Sequence, residues 1–415
     1  MRATGSAGVV MEQQKKQSHR PSDVASDGEP IGGVFKQRPS DFIVEELPLY
    51  EAKGEGEHLY LQVEKTNLSH EAMVGALMRQ FNVPRQAIGT AGRKDKKAVT
   101  RQWVSVHLHK DPSTLEPHHE AIAFLEVTRH VNKLRLGHLR GNRFYIRLRG
   151  IELEDVSQIR NLLASMVANG LPNYFDEQRF GARGINHLLG RALITKDSTQ
   201  LVRLLTESED IEQWPIHSPE RLAANWLEKG KSAGQIVARL GQQTRQFWIS
   251  SLQSAVFNRV LERRVCENSL IRLYEGDLAW KHEGGSVFAV TGETLQDPQI
   301  AKRLADFEIS PSGPMWGSRM TRCGELIDEI ERGCLKEFAL IPEQFSKLGR
   351  SVSGARRPLR VAVGRATADA SEDEHGKLIG LSFELPPGSY ATVVLRAITG
   401  APRKKNAEDL HIDQP

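Results

Sequence analysis

The chain has 415 residues, 39% of them hydrophobic, and 56 Lys and Arg against 52 Asp and Glu give it a formal charge of +4. That apolar mass suits two or three domains, and the charge is too weak to establish a nucleic-acid partner by itself. Three scattered cysteines exclude a disulfide framework and a four-cysteine zinc site. No apolar stretch reaches the ~20 residues of a membrane span and no apolar leader region precedes the first elements, so a cytoplasmic protein is expected.

Residues 1–32 are polar, rich in Ser, Gln, Gly and Asp, and predict a disordered tail. Gly54-Glu55-Gly56 reads as a tight turn before a strand in which Leu59, Leu61 and Val63 alternate with Tyr60, Gln62 and Glu64. Ser69 predicts the N-cap of a helix through Phe81, with Met73, Leu77 and Met78 on one face and Asn82 to Pro84 ending it. Val104, Val106 and Leu108 read as a further strand, as do Phe144, Ile146 and Leu148. Asp155 is expected to cap a helix carrying Val156, Ile159, Leu163 and Val167, closed by Gly170. From Gly170 to Leu359 helical patterns dominate, at 200–205, 233–240 and 247–265. Leu378 to Leu385 returns to strand, and the apolar, β-branched run Ala391 to Ile398 predicts a β-like end. A mixed start, a helix-rich middle and such an end suggest an insertion within one α/β or α+β domain.

The densest chemistry lies in Gly89-Thr90-Ala91-Gly92-Arg93-Lys94-Asp95-Lys96-Lys97-Ala98-Val99-Thr100, where one carboxylate stands among four cations. Such a loop suits acid or nucleophile chemistry on a polyanion; charge runs are more often solvated turns. In the strand Asn142 to Arg149, alternation puts Asn142, Phe144, Ile146 and Leu148 on one face and Arg143, Tyr145, Arg147 and Arg149 on the other. Asn142 then serves as a base-edge reader beside a ring, or the segment is an ordinary half-buried strand. Glu57 and His58 offer acid–base groups or simple turn polarity. Leu171 to Gly181, dense in aromatic, amide and Arg residues, fits RNA stacking and a packed turn equally. There is no Walker A, GxGxxG, HExxH, CxxC or GxSxG pattern, so cofactor-free, metal-free chemistry is expected.

Taken in order, Lys36 to Glu45, Gly54 to His58, Gly89 to Thr100, Lys133 to Phe144 and Leu171 to Gly181, with the weaker Leu385 to Thr392, resemble the TruD family of tRNA pseudouridine synthases. The likeness spans Gly33 to Ile398. Asp176 stands where the family usually has Gly, and Tyr390 where Phe is common. The resemblance implies an α+β fold: a pseudouridine-synthase catalytic domain with a mixed, mainly antiparallel sheet (33–169 and 360–402), interrupted by a helix-rich inserted TRUD domain (170–359), with a loose tail at 403–415. It implies isomerisation of uridine, at position 13 of tRNA, without a cofactor, with other structured RNAs as further candidate substrates.

Carried over position by position, the resemblance makes Asp95 the catalytic carboxylate and Lys36 its partner. It places Phe42, Asn142, Phe144 and Tyr390 around the target nucleotide, with Glu57 as a further member. Arg93, Lys94, Lys96, Lys133, Arg135, Arg143 and Arg179 are the candidate phosphate contacts. A hydrolase acting at C1′ needs two opposed carboxylates, and only Asp95 has such a setting. A non-catalytic RNA-binding protein would not need Asp95.

Overall fold

The structure, a computed structural model, describes residues 30–400 apart from 109, 111, 113 and 208–210. The expected tails fall largely on 1–29 and 401–415, outside the described residues. The described chain divides into two compact units, Pro172–Arg360 and the residues on either side of it, 30–171 with 361–400.

The second of these units is built on an eight-stranded sheet. Its strands are β1 (Phe42–Pro48), β2 (His58–Thr66), β3 (Ile88–Thr90), β4 (Val99–His107), β5 (Ile122–His130), β6 (Leu139–Arg149), β7 (Gly364–Asp373) and β8 (Gly376–Leu385). They run in the order β7-β8-β6-β1-β4-β2-β5, with β3 beside β4. Only β1 and β4 pair in parallel; the other pairs are antiparallel. The sheet is therefore mixed and mainly antiparallel, as expected.

Alternation decides which face is covered. Leu59, Leu61 and Val63 of β2 lie beside Val106 and Val104 of β4, and helix α1 (His70–Phe81) packs Met73, Val74 and Leu77 onto them. The Ser69 hydroxyl accepts from the Ala72 amide and Asn82 closes α1 in the left-handed conformation, which a short amide side chain tolerates. Helix α2 (Val156–Asn169) ends at Gly170 with φ 87°. Asp155 does not cap it: its backbone is already helical (φ −66°, ψ −13°) and its side chain accepts no capping bond, whereas an N-cap needs an extended backbone.

The run Ala391–Thr399 is a helix, α3, rather than β-like. Ala391, Val394, Leu395 and Ile398 recur at helical spacing and are buried together. That period overrides the β-branched composition.

In the unit Pro172–Arg360 the helical patterns correspond to Ser198–Thr206, Ala233–Arg239 and the long helix Gln242–Cys266. It also holds a four-stranded antiparallel sheet, Ala355–Pro358, Ile309–Met315, Leu278–Lys281 and Val287–Ala289 in that order. Its residues signal it only weakly, since Ile309–Met315 carries two prolines and a glycine. Among the described residues no helix is long and apolar enough to cross a membrane.

Candidate active site

Because β1 and β4 run parallel and side by side, with Ile43 opposite Val99, the segments that precede both strands arrive at the same end of the sheet. These are the Lys36 segment and the basic loop. Antiparallel β2 brings its C-terminal end there too, with Lys65 opposite Thr100. Residues 59 apart in sequence therefore meet: the Lys36 ammonium donates to Asp95 Oδ2 at 3.2 Å. The Asp95 side chain is 40% exposed, and its Oδ1 accepts no hydrogen bond among the described residues. One carboxylate oxygen is thus held and the other is open.

Lys36 also stands over the Phe42 ring, 3.9 Å from its centroid. Its backbone is left-handed, with φ 61°, a conformation that costs a non-glycine residue ~1–3 kcal/mol and that clusters at functional sites.

The loop is fixed from beneath by two residues absent from the expected set. Lys65, completely buried, donates to the main-chain oxygens of Asp95 at 2.7 Å and Leu68 at 2.8 Å. Burial pushes its ammonium down to about 8, against the opposing pull of Asp95. Glu46, also buried, accepts from Lys94 at 2.8 Å and from the Trp103 amide at 3.3 Å. Both were visible in principle as charged residues in phase with an apolar face: Lys65 continues Leu59, Leu61 and Val63, and Glu46 continues Phe42 and Val44.

On the same face, β6 sets Phe144 opposite Val44 and Asn142 opposite Glu46. The structure thus gathers Asp95, Lys36, Phe42, Asn142 and Phe144 along one stretch of β1. Asn142 Oδ1 is buried with no hydrogen-bond partner. Tyr390, half-buried, precedes α3 five residues beyond Leu385, the cross-strand neighbour of Asn142.

The remaining expected residues lie in varied settings. Phe144 and Phe42 are 6% and 2% exposed. Phe144 stacks on Phe383 (5.4 Å, 28°) and meets Phe42 edge-on (6.2 Å, 66°), so these rings are core rather than open stacking surfaces. Glu57 adjoins His58, seven residues along β2 from Lys65, which puts it ~23 Å from the Asp95 end. There it is exposed beside His107.

Lys94 is turned inward to Glu46, its side chain only 6% exposed. Arg143 is held by Glu384 at 2.7 Å and Glu45 at 3.5 Å on the opposite face. Arg179 donates to Ser250 and Ser254 and lies against Phe175 and Phe247. Its segment is the packed turn, with Tyr174 and Phe175 buried. Arg93 and Lys96 remain exposed, Arg93 next to Glu71 at 3.2 Å. Lys133 and Arg135 lie in the β5–β6 loop, beside a separate cleft.

Known proteins resemble the chain over most of its length. The family described as tRNA pseudouridine synthase D (TruD) matches residues 22–213 and 207–398. The tRNA pseudouridine synthase D of Syntrophotalea carbinolica is 36% identical over 392 residues, covering 89% of this chain and 96% of the relative. That of Anaeromyxobacter dehalogenans strain 2CP-C is 35% identical over 387 residues, covering 93% and 98%. The crystal structure described as tRNA pseudouridine synthase D (TruD) from Methanosarcina mazei superposes with a TM-score of 0.75 at 27% identity, over 91% of this chain and 96% of that one. The chain belongs to the tRNA pseudouridine synthase D family, whose members are isomerases that convert uridine to pseudouridine.

Proposed function

We propose that this chain isomerises a uridine of tRNA, at position 13, with Asp95 as the reacting carboxylate. The observation that carries this is the half-held geometry of Asp95: Lys36 fixes Oδ2 while Oδ1 is left open on an exposed side chain. In the reaction the N1–C1′ bond breaks, the uracil turns, and C5 joins C1′; C5 gives up a proton and N1 gains one. The change is redox-neutral and adds no atoms. Asp95 acts either as nucleophile at C1′ or as base toward the ribose, and both routes use its carboxylate.

A uridine within folded RNA must first leave its stack, at a cost of a few kcal/mol. Exposed Arg93 and Lys96 flank Asp95 in its loop and are suited to the phosphates on either side of a flipped nucleotide. Asn142, with an unpaired buried oxygen, supports a role as reader of the uracil N3–H. Other structured RNAs that present a similarly extruded uridine belong to the same proposal.

The test is carbodiimide–primer extension on an unmodified tRNA transcript. The wild-type chain is expected to mark one uridine, and Asp95→Asn to abolish the mark while tRNA still binds. Full activity in Asp95→Asn would overturn the assignment.

A further inference from the structure

At the end of β2 remote from Lys65 lies a cleft of about 430 Å³ that the chemistry at Asp95 does not use. That size falls within the ~300–1,000 Å³ of small-ligand sites. Tyr50, Lys53, His130, Lys133, Arg135 and His138 line it, with Glu51 as its carboxylate. Tyr50 is stacked on His130 (5.1 Å, 22°), and its hydroxyl is bonded to His138 Nδ1 at 2.9 Å. The wall is therefore pre-formed.

His130 Nδ1 accepts from the Lys53 amide at 3.3 Å, and burial, then Lys53, lowers its pKa. Lys53, Lys133 and Arg135 bring permanent positive charge to the cleft. Lys133 is tied to the Gln86 carbonyl, while Lys53 and Arg135 are exposed. Next to lining residues, Leu49, Val131 and Leu136 are 57%, 45% and 81% exposed. Cations interleaved with rings and open apolar side chains make a surface for an unpaired nucleotide.

The loop that supplies Lys133, Arg135 and His138 to the cleft is tied to the segment leading to Asp95. The Gly137 amide donates to the Ala91 carbonyl at 2.8 Å. Asp95 is four residues from Ala91, at most ~14 Å of extended chain.

Building on the tRNA reading above, we propose that this cleft is a second RNA subsite. It takes an unpaired nucleotide of the substrate other than the target uridine, the phosphate held by Lys53 and Arg135 and the base against Leu136 and the Tyr50–His138 edge. It anchors the RNA so that the reacting uridine reaches Asp95.

The experiment titrates fluorescent unmodified tRNA transcript with the full chain from low to moderate salt and measures kcat and KM for pseudouridine formation. Lys53→Ala/Arg135→Ala is expected to weaken Kd about tenfold and to lower the slope of log Kd against log salt by about 0.7–0.9, the value for one phosphate no longer neutralised. KM should rise in step while kcat stays within about twofold. Lys377→Glu, in β8 at the sheet's outer region, should change neither quantity. Leu136→Ser is expected to raise KM with no change in salt slope.

Wild-type Kd and slope in the double variant would overturn the subsite, as would a fall in kcat with KM unchanged. If the wild-type chain binds tRNA without isomerising it, the proposed function fails separately, and the salt slope still decides the cleft.

Discussion

The Lys65 ammonium donates to the main-chain oxygen of Asp95 across 2.7 Å, inside a completely buried site. The contact is to the backbone, so Lys65 sets where the loop lies and leaves the carboxylate to Lys36. A charged donor to such an acceptor contributes ~1.5–3 kcal/mol. Lys65→Met keeps the length and removes the donor. Its kcat is expected to fall roughly 10–100-fold, with Kd for tRNA within about threefold, by single-turnover kinetics and binding. Unchanged kcat would reduce Lys65 to a core residue.

The same residue predicts a pH dependence of stability. Its folded pKa of about 8 lies below the ordinary 10.5. The unfolded chain therefore binds more protons between those values, and stability rises with pH across that window. Below about pH 8 the full cost of the buried charge is present. Wild type should gain on Lys65→Met by up to roughly 3 kcal/mol between pH 8 and 10.5, read as the difference between two denaturation series. Asp95, Lys94 and the other groups facing Lys65 are common to both proteins and cancel. A flat difference would refute the depressed value.

Lys36 combines a side-chain role with a strained backbone. Lys36→Met frees Asp95 Oδ2, and kcat is expected to drop about 10–100-fold with little change in KM. A rise in KM at constant kcat would make Lys36 an RNA contact instead. Lys36→Gly loses the same ammonium but relieves the φ of 61°. It should melt higher than Lys36→Met, by roughly 1 kcal/mol in stability.

Phe144 now carries a different expectation from that of an open stacking ring. Packed between Phe383 and Phe42, it should cost ~3–5 kcal/mol on truncation to Ala, seen in urea denaturation. Any loss of turnover should be largely recovered at low temperature, where the fold is retained. A stable Phe144→Ala with impaired turnover would restore the direct stacking role.

The family resemblance implied the Asp95–Lys36 pair, and the period-2 runs made β2, β4, β6 and β8 legible. What one chain could not reveal was strand adjacency. Nothing local says that β1 lies parallel to β4, yet that pairing brings Lys36 to Asp95 and turns Lys94 onto Glu46. Lys94 looks like Lys96 in the sequence, and only the third dimension separates a buried ion-pair partner from an exposed cation. Lys65 and Glu46 were readable as charges out of place on apolar faces, a signal easily lost among charged neighbours. In Ala391–Thr399, β-branched composition pointed one way and spacing the other, and burial followed spacing.

Arg143, whose charge suggested phosphate binding, belongs to an ion-pair row within the sheet. In one register row across five strands, Glu64 of β2, Arg101 of β4, Glu45 of β1, Arg143 of β6 and Glu384 of β8 alternate in sign. Arg101 meets Glu64 at 2.8 Å and Glu45 at 3.8 Å, and Arg143 meets Glu45 and Glu384. These side chains are 16–34% exposed, so the row is screened less than a surface pair. Removing Arg143 leaves two carboxylates facing each other across β6. Arg143→Met should therefore cost roughly 1–3 kcal/mol of stability, leaving the tRNA Kd and its salt slope at wild-type values. A salt slope lowered by about 1 at unchanged stability would return Arg143 to the RNA interface.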